Sequence, residues 1–406
     1  MNYTEAIEFI HSIPKFVRPL GNANLGALLN LIGNPHKDLK FIHVAGTNGK
    51  GSVCAMSAEV FKCAGYKTGL FTSPFIEVFN ERIRINGVLI SDNELSEYVS
   101  CLAQIMQENN LPVSEFAFIT AVAVKYFADK KCDIVVLETG MGGRLDATNI
   151  IDVPECAVLT SISKDHTQYL GQTLEEIALE KCGIIKRGGV VVSYINKATE
   201  NIIKAEVEKN RAQLTVPEKA EKTASGFIYK GNEYYLSLKG NYQAENAAAV
   251  VEIVENMRKK GWDISETALR DGFKNVSWQA RYEFIRENVV IDGGHNIDGI
   301  RALKENLQSE KRAVVLVLAM MKDKDYEECI KNIIQVAETV VATEVNMPRS
   351  LKAEETEKIC LESGVECLCR KNINEAVKTA LDIAVDSLVC VCGSLYLAGE
   401  VRKILK

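Results

Sequence analysis

Seven residues, Gly46-Thr47-Asn48-Gly49-Lys50-Gly51-Ser52, follow the apolar run Phe41 to Ala45 and lead straight into the helix-spaced segment Gly51 to Cys63. Glycines at a strand-to-helix turn let successive backbone N–H groups and the helix N-terminus converge on one anion. Lys50 supplies a mobile positive charge for the β and γ phosphates of a nucleotide. The pattern departs twice from the strict phosphate loop G-x-x-x-x-G-K-[ST]: Val44 occupies the first glycine position, and Gly51 the hydroxyl position, with Ser52 one residue later. On this loop alone, a glycine turn without a ligand remains an alternative.

Ser73, Glu138 and His166 each stand just past an apolar run, TGLFTS, DIVVLE and CAVLTSIS. Open α/β sheets gather their ligand groups at such strand ends. A hydroxyl, a carboxylate and an imidazole make a magnesium set when nucleotide oxygens complete the shell, although imidazole is an unusual ligand for so hard an ion. Taken singly, Glu138 reads equally as a cap or a salt-bridged acid, and His166 as a hydrogen-bonded surface residue. Lys181 closes a helix that Thr173 caps, with Glu175 and Glu176 in its first turn. On spacing alone it is a helix-end lysine offsetting the dipole. Asn246, after Gln243, opens a long helix and would ordinarily be a cap. Arg281 falls at the domain join, where a guanidinium could complete a phosphate clamp when the domains close. Asp292 and His295 leave the end of the strand in VVIDGGHN, toward an expected interdomain cleft. Ser394 and Tyr396 in CGSLYLAG fit a helix cap followed by core packing as well as they fit a site.

These residues need a scaffold that brings strand ends together. The β-branched runs FIHVAG, TGLFTS, DIVVLET, CAVLTSIS and VVVSYI alternate with helical patterns at Gly51–Cys63, Glu115–Ala128, Thr173–Cys182 and Thr199–Gln213. That order predicts βαβ units and a parallel sheet covered on both faces. A hairpin, FIYKGNEYYLSL, interrupts it and is followed by the long helix of GNYQAENAAAVV. A second α/β series runs through FIRENVVIDGG, RAVVLVLAM, TVVATEV, GVECLC and SLVCVCGS. The expected fold class is α/β, with a phosphate-loop, parallel-sheet domain over residues 1–276 and a smaller Rossmann-like domain over 277–406.

With 406 residues the chain exceeds what one hydrophobic core holds. The net charge of -6 gives no support to a nucleic-acid surface, which would show a basic field. The opening MNYTEAIEFIHSIPKF lacks the order of a signal peptide, and no apolar run reaches bilayer length, so a cytoplasmic location without a membrane partner is expected. The 12 cysteines are expected to be reduced thiols. Cys367-x-Cys369 and Cys390-x-Cys392 have the look of a zinc site, but SLVCVCGS reads better as a strand.

The spelling HVAGTNGKGS resembles the folylpolyglutamate synthase/dihydrofolate synthase family of the Mur ligase superfamily. Eight further blocks follow that family's order: LGNANLGALLNLIGNP, TSPFI, ERIRING, LETGMGGRLDATN, SISKDHTQYLGQTLEEIALEKCGIIK, GNYQAENAAA, ARYE and IDGGHN. The resemblance implies an ATP-dependent ligase that joins L-glutamate to dihydropteroate, to reduced folates, or to both, through an acyl phosphate with release of ADP and phosphate. It assigns Ser52, Ser73, Glu138 and His166 to one or two Mg2+ ions, and Lys181, carbamylated by CO2, to a second metal. It gives Asn246 to the nucleotide base, Arg281 to the phosphates and Asp292 to the ribose, beside the substrate. His295, Ser394 and Tyr396 go to the incoming glutamate, and Arg82 with GGRLDATN to the pterin-bearing substrate. Lys50, His166, Lys181, Arg281 and His295 become the expected catalytic groups. A monovalent cation is left open as a further cofactor, the partners are small molecules only, and a monomer is expected.

Two other readings share the loop. A Mur-type ligase of cell-wall precursors carries a nucleotide-sugar domain ahead of it, for which the residues before Lys50 are too few. A P-loop kinase or nucleotide switch leaves the second α/β series and DGGHN unexplained.

Overall fold

The computed structural model describes residues 1–17 and 21–406, so Leu20, the first residue of the LGNANLGALLNLIGNP block, lies outside the described residues. The chain divides into two units, Met1–Ser237 with Glu245–Val276, and Leu238–Ala244 with Ser277–Lys406.

The first unit is built on an eight-stranded sheet of β1 (Phe41–Ala45), β2 (Thr68–Phe71), β3 (Ile83–Ile85), β4 (Val88–Leu89), β5 (Ile134–Glu138), β6 (Cys156–Leu159), β7 (Val190–Ser193) and β8 (Gln213–Thr215). Their order is β4-β3-β2-β5-β1-β6-β7-β8. The run from β2 to β8 is parallel, and β3 and β4 add an antiparallel edge. Every residue of β1, β2, β5, β6 and β7 is buried. Helices cover both faces of a parallel sheet, which explains why these strands read as continuous apolar runs rather than as alternation. Register sets Val44 beside both Glu138 and Val158, and Leu137 beside Phe71. The carboxyl ends of β2, β5, β1 and β6 are therefore neighbours. Helix Glu115–Asp129 is buried at every residue from Ala117 to Val124, and the Ser114 hydroxyl caps it by accepting the Ala117 N–H at 3.3 Å. Phe118 and Phe127 on this helix are fully buried, and each contributes roughly 2–3 kcal/mol of apolar transfer. A separate three-stranded antiparallel sheet holds β9 (Glu221–Lys222), β10 (Gly226–Tyr229) and β11 (Asn232–Tyr235). It contains the expected hairpin, whose turn residues Lys230 and Gly231 both have positive φ.

The second unit has one six-stranded sheet of β12 (Glu283–Arg286), β13 (Val289–Ile291), β14 (Val314–Leu318), β15 (Thr339–Ala342), β16 (Glu366–Cys369) and β17 (Leu388–Cys392), ordered β12-β13-β17-β14-β15-β16. All neighbours are parallel except β12 and β13.

Two expectations change. FIRENVVIDGG is two strands, not one, because the polar pair Glu287-Asn288 turns the chain and pairs β12 antiparallel with β13. The helix expected over Thr199–Gln213 ends at Lys209, and Gln213–Thr215 becomes the sheet edge β8. The segment around ERIRING holds the β3–β4 hairpin, turned at Asn86 and Gly87, which both have positive φ. The cysteines are all free; Cys390 and Cys392 are buried inside β17, as a strand reading requires.

Candidate active site

The loop after β1 rests on the loop after β6. The Thr47 N–H donates to the Ser161 carbonyl at 2.7 Å, and the Thr47 hydroxyl donates to the Ser163 carbonyl while accepting the Ser163 N–H, both at 3.0 Å. The Ser161 hydroxyl donates to the Asn48 carbonyl at 3.2 Å. Gly46 has φ +152°, and a Cβ there would lie 1.8 Å from the Thr160 hydroxyl oxygen. Gly49 has φ +88°, and a Cβ there would lie 2.5 Å from the Asn246 amide oxygen. Both glycines are thus required by backbone conformation and by close approach. Lys50 opens the helix Lys50–Cys63 and folds back, its Nζ donating to the carbonyls of Gly46 and Thr47 at 3.1 Å each. Gly51 and Ser52 follow in the first turn of that helix, both buried.

Lys181 comes to the same carbonyl from the other side. Its helix, Leu174–Cys182, starts with a complete capping box between Thr173 and Glu176. Its Nζ, on a 3% exposed residue, donates to the Gly46 carbonyl at 2.7 Å. Burial first, and the Lys50 charge second, push this amine down from its ordinary 10.5 to about 7. Glu138 ends β5 as a buried acid, and its carboxylate accepts the Ser73 N–H at 3.1 Å. His166 sits in the left-handed region at φ 51°, its N–H donating to the Asp165 carboxylate at 2.8 Å. Among the described residues no three His, Cys, Asp or Glu side chains gather into a metal nest. A cation here would need hydroxyl, carbamate or phosphate oxygens to fill its shell. Asn246 is the fifth residue of helix Tyr242–Lys259, inside the first turns rather than at the cap. The Arg82 carbonyl accepts the Thr72 N–H at 3.0 Å, one residue before Ser73, and its guanidinium lies over the rings of Phe75 and Phe79 at 5.3 and 5.5 Å.

In the second unit Arg281 sits between Ala280 and Tyr282, both left-handed at φ 53° and 49°. Asp292, at the end of β13, holds that turn. Its buried carboxylate accepts the Tyr282 N–H at 2.8 Å, the Gly294 N–H at 2.7 Å and the Tyr242 hydroxyl at 3.0 Å. Burial raises the Asp292 acid above its ordinary range, against the opposing pull of Arg281 and of these donors. His295 Nδ1 lies 2.8 Å from the Gly293 carbonyl, which makes Nδ1 the proton-bearing nitrogen of the neutral ring and Nε2 an acceptor. Ser394 caps helix Leu395–Leu405 by accepting the Tyr396 N–H at 3.1 Å, and the Tyr396 hydroxyl accepts from Arg349 at 2.8 Å.

Several residues that shape the first unit's site carry no local signal. Thr160 meets Gly46 only through the pairing of β1 with β6. The buried Glu81 accepts the N–H groups of Ile76, Glu77 and Val78 at 2.8 to 3.0 Å and so shapes the turn after Ser73. Asp146 accepts from the Met141 N–H at 2.8 Å and the Thr148 hydroxyl at 2.5 Å, and that hydroxyl lies 2.8 Å from His43 Nε2. Burial lowers His43 to about 3, so its ring is neutral. Glu81 and Asp146 stand inside the blocks ERIRING and GGRLDATN, which is the one signal that could have found them.

Residues 44–254 match the Mur ligase middle domain, and residues 280–404 match the C-terminal domain of dihydrofolate synthetase. A dihydrofolate synthase/folylpolyglutamate synthase of Bacillus subtilis (strain 168) is 34% identical over 436 residues, spanning 100% of this chain and 99% of that protein. The Mycobacterium tuberculosis folylpolyglutamate synthase solved with ADP and AMPPCP is 30% identical at a TM-score of 0.89, spanning 99% of this chain and 98% of that one. E. coli FolC solved with DHPP and ADP is 25% identical at a TM-score of 0.90, spanning 100% of this chain and 98% of that one.

Proposed function

The chain belongs to the folylpolyglutamate synthase/dihydrofolate synthase family, and on that premise we propose that it is an ATP-dependent carbon–nitrogen ligase adding L-glutamate to dihydropteroate, to reduced folates, or to both. Relatives in this family have been solved with ADP, AMPPCP and DHPP. The observation that carries the reading is the meeting of two lysines on one carbonyl, Lys50 at 3.1 Å and Lys181 at 2.7 Å from the Gly46 oxygen, in a glycine loop at the centre of a parallel sheet. A glycine-rich strand-to-helix turn with the Lys50 ammonium folded onto it and the buried Lys181 amine on the same carbonyl suits a polyphosphate.

Joining a carboxylate to an amine in water is uphill, so the carboxylate must first become a better acyl donor. A carboxylate oxygen of the pteroyl substrate attacks the γ phosphorus, and ADP leaves with the electron pair of the broken P–O bond. The glutamate nitrogen, having given up a proton, attacks the acyl carbon, and phosphate departs as the amide forms. In the first unit, residues Gly46 to Ser52 cradle the triphosphate and Lys50 swings from its carbonyl partners to the phosphates. Asn246, beside Gly49, borders the base. In the second unit, Arg281 meets the phosphates, Asp292 holds the Arg281 turn and borders the ribose, and Arg82 of the first unit serves the pterin-bearing substrate. His295 Nε2, an acceptor in the neutral ring, orients the glutamate ammonium with Ser394 and Tyr396.

The buried carboxylate of Glu138 and the hydroxyl of Ser73, joined through the Ser73 N–H, are the hard oxygen donors that magnesium takes, and Ser52 and His166 complete the residues that would hold it. Bound there, such an ion neutralises crowded phosphate oxygens. Lys181, with its amine near 7, is half neutral at neutral pH, which is the form that adds CO2 to give a carbamate and one proton. The carbamate turns a cation into an oxygen donor for a second ion. Steady-state ADP release measured with dihydropteroate and with tetrahydrofolate, each with and without glutamate, tests the proposal. Turnover that needs the pteroyl substrate and glutamate together supports it, and ATP turnover indifferent to glutamate refutes it.

A further inference from the structure

The second unit repeats the geometry of the first, with polar loops leaving the carboxyl ends of adjacent parallel strands. Register puts Ile291 beside Val391, and Leu318 beside both Cys392 and Ala342, so the ends of β13, β17, β14 and β15 are level. The helix that opens after β17 brings Tyr396 in its first turn, the loop after β14 brings Asp323, and the loop after β15 brings Arg349. Arg349 Nη2 donates to the Tyr396 hydroxyl at 2.8 Å, Nη1 pairs with the Asp323 carboxylate at 3.0 Å, and the guanidinium lies over the Tyr396 ring at 5.3 Å. The backbone under this arginine is fixed. The Lys322 N–H donates to the Arg349 carbonyl at 2.9 Å, and the Leu351 N–H donates to the Met320 carbonyl at 2.9 Å. The side chain above it is 43% exposed.

An exposed ion pair of this kind contributes only about 0–1 kcal/mol to stability, so folding gives little reason for three segments to converge on one guanidinium. Recognition gives a better one. Two contacts occupy two of its five N–H donors, and the Tyr396 hydroxyl, which accepts from Arg349, keeps its own proton to donate. A planar fork beside a hydroxyl donor is the arrangement that takes a carboxylate. A substrate with two carboxylates and a reacting amine must have a carboxylate held while the amine stays free.

We infer that Arg349 binds a carboxylate of the incoming amino acid beside Tyr396 and so sets specificity for a dicarboxylic substrate. This rests on the ligase reading above. ADP release is to be measured against glutamate concentration for wild type, Arg349→Ala and Arg349→Lys, and again with glutamine and isoglutamine, each of which has one carboxylate replaced by an amide. The KM for glutamate should rise roughly 10- to 100-fold in Arg349→Ala, the loss expected of a charge-assisted hydrogen-bonding partner, with the KM for ATP unchanged and Arg349→Lys in between. The analogue lacking the carboxylate that Arg349 holds should bind wild type and Arg349→Ala alike, which a merely structural role does not produce. A glutamate KM within about twofold of wild type in Arg349→Ala, or equal losses for glutamate and both amides, overturns the assignment. Wild-type turnover indifferent to glutamate instead overturns the ligase reading and the assignment with it.

Discussion

Replacing Lys181 with methionine should make the protein more stable and dead. Burial and the Lys50 charge lower this amine from 10.5 to about 7, a fall of about 3.5. At 1.36 kcal/mol for each tenfold change in proton affinity, that fall is on the order of 5 kcal/mol. Linkage gives the sign. Between pH 7 and 10.5 the unfolded chain carries a proton on this lysine that the folded chain has lost, so stability rises with pH in that window, and the full penalty is present below it. Methionine fills a similar volume without the charge. It forfeits the hydrogen bond to the Gly46 carbonyl, about 1 kcal/mol, but Lys50 keeps that oxygen paired at 3.1 Å. Lys181→Met should therefore exceed wild type by roughly 2–4 kcal/mol at pH 7, and the advantage should vanish toward pH 10.5. Urea unfolding in CO2-depleted buffer, followed by Trp262 fluorescence in a Trp278→Phe background, isolates the first unit because the chain has only these two tryptophans. A stability difference that does not change with pH, or a methionine variant less stable at pH 7, refutes the argument.

Lys50→Ala should lower turnover by roughly a thousandfold while keeping the cooperative unfolding transition, since Nζ donates to two loop carbonyls and its charge opposes that of Lys181; loss of that transition would mark the lysine as structural. Lys181→Ala should be less active than Lys181→Glu if the site requires an anion, and equal rates for both variants and wild type would remove the carbamate. Gly46→Ala, with its Cβ 1.8 Å from the Thr160 hydroxyl oxygen and φ at +152°, should cost about 2–4 kcal/mol and abolish nucleotide binding. Adding Thr160→Ala relieves the clash but not the backbone strain, so recovery should be partial. Full ADP affinity for Gly46→Ala by calorimetry would contradict the steric account.

The strands β1, β2, β5, β6 and β7 were readable because a sheet covered on both faces demands unbroken apolar runs, and FIHVA, TGLF and IVVLE are such runs. The β3–β4 hairpin carries an Asn86-Gly87 pair between apolar residues, the strongest short-range turn signal, so this hairpin is legible from local chemistry alone. Glu287-Asn288 is a weaker turn, with nothing but polarity to break FIRENVVI into two strands. The loop's residue types announce anion chemistry, and Thr173 three residues before Glu176 spells the capping box that the helix has. That Lys181 reaches the Gly46 carbonyl was beyond local patterning, because the contact depends on where β6 and the following helix return to β1. The same holds for Thr160, whose part is steric and leaves no trace in its own neighbourhood.

Gly49 and Asn246 stand on opposite sides of one gap, with room for a carboxamide only because no methyl group occupies the other position. A shorter residue at 246 would free the space without relieving the φ of +88° that keeps position 49 for glycine, so the carboxamide is bounded by a backbone that cannot give way to it.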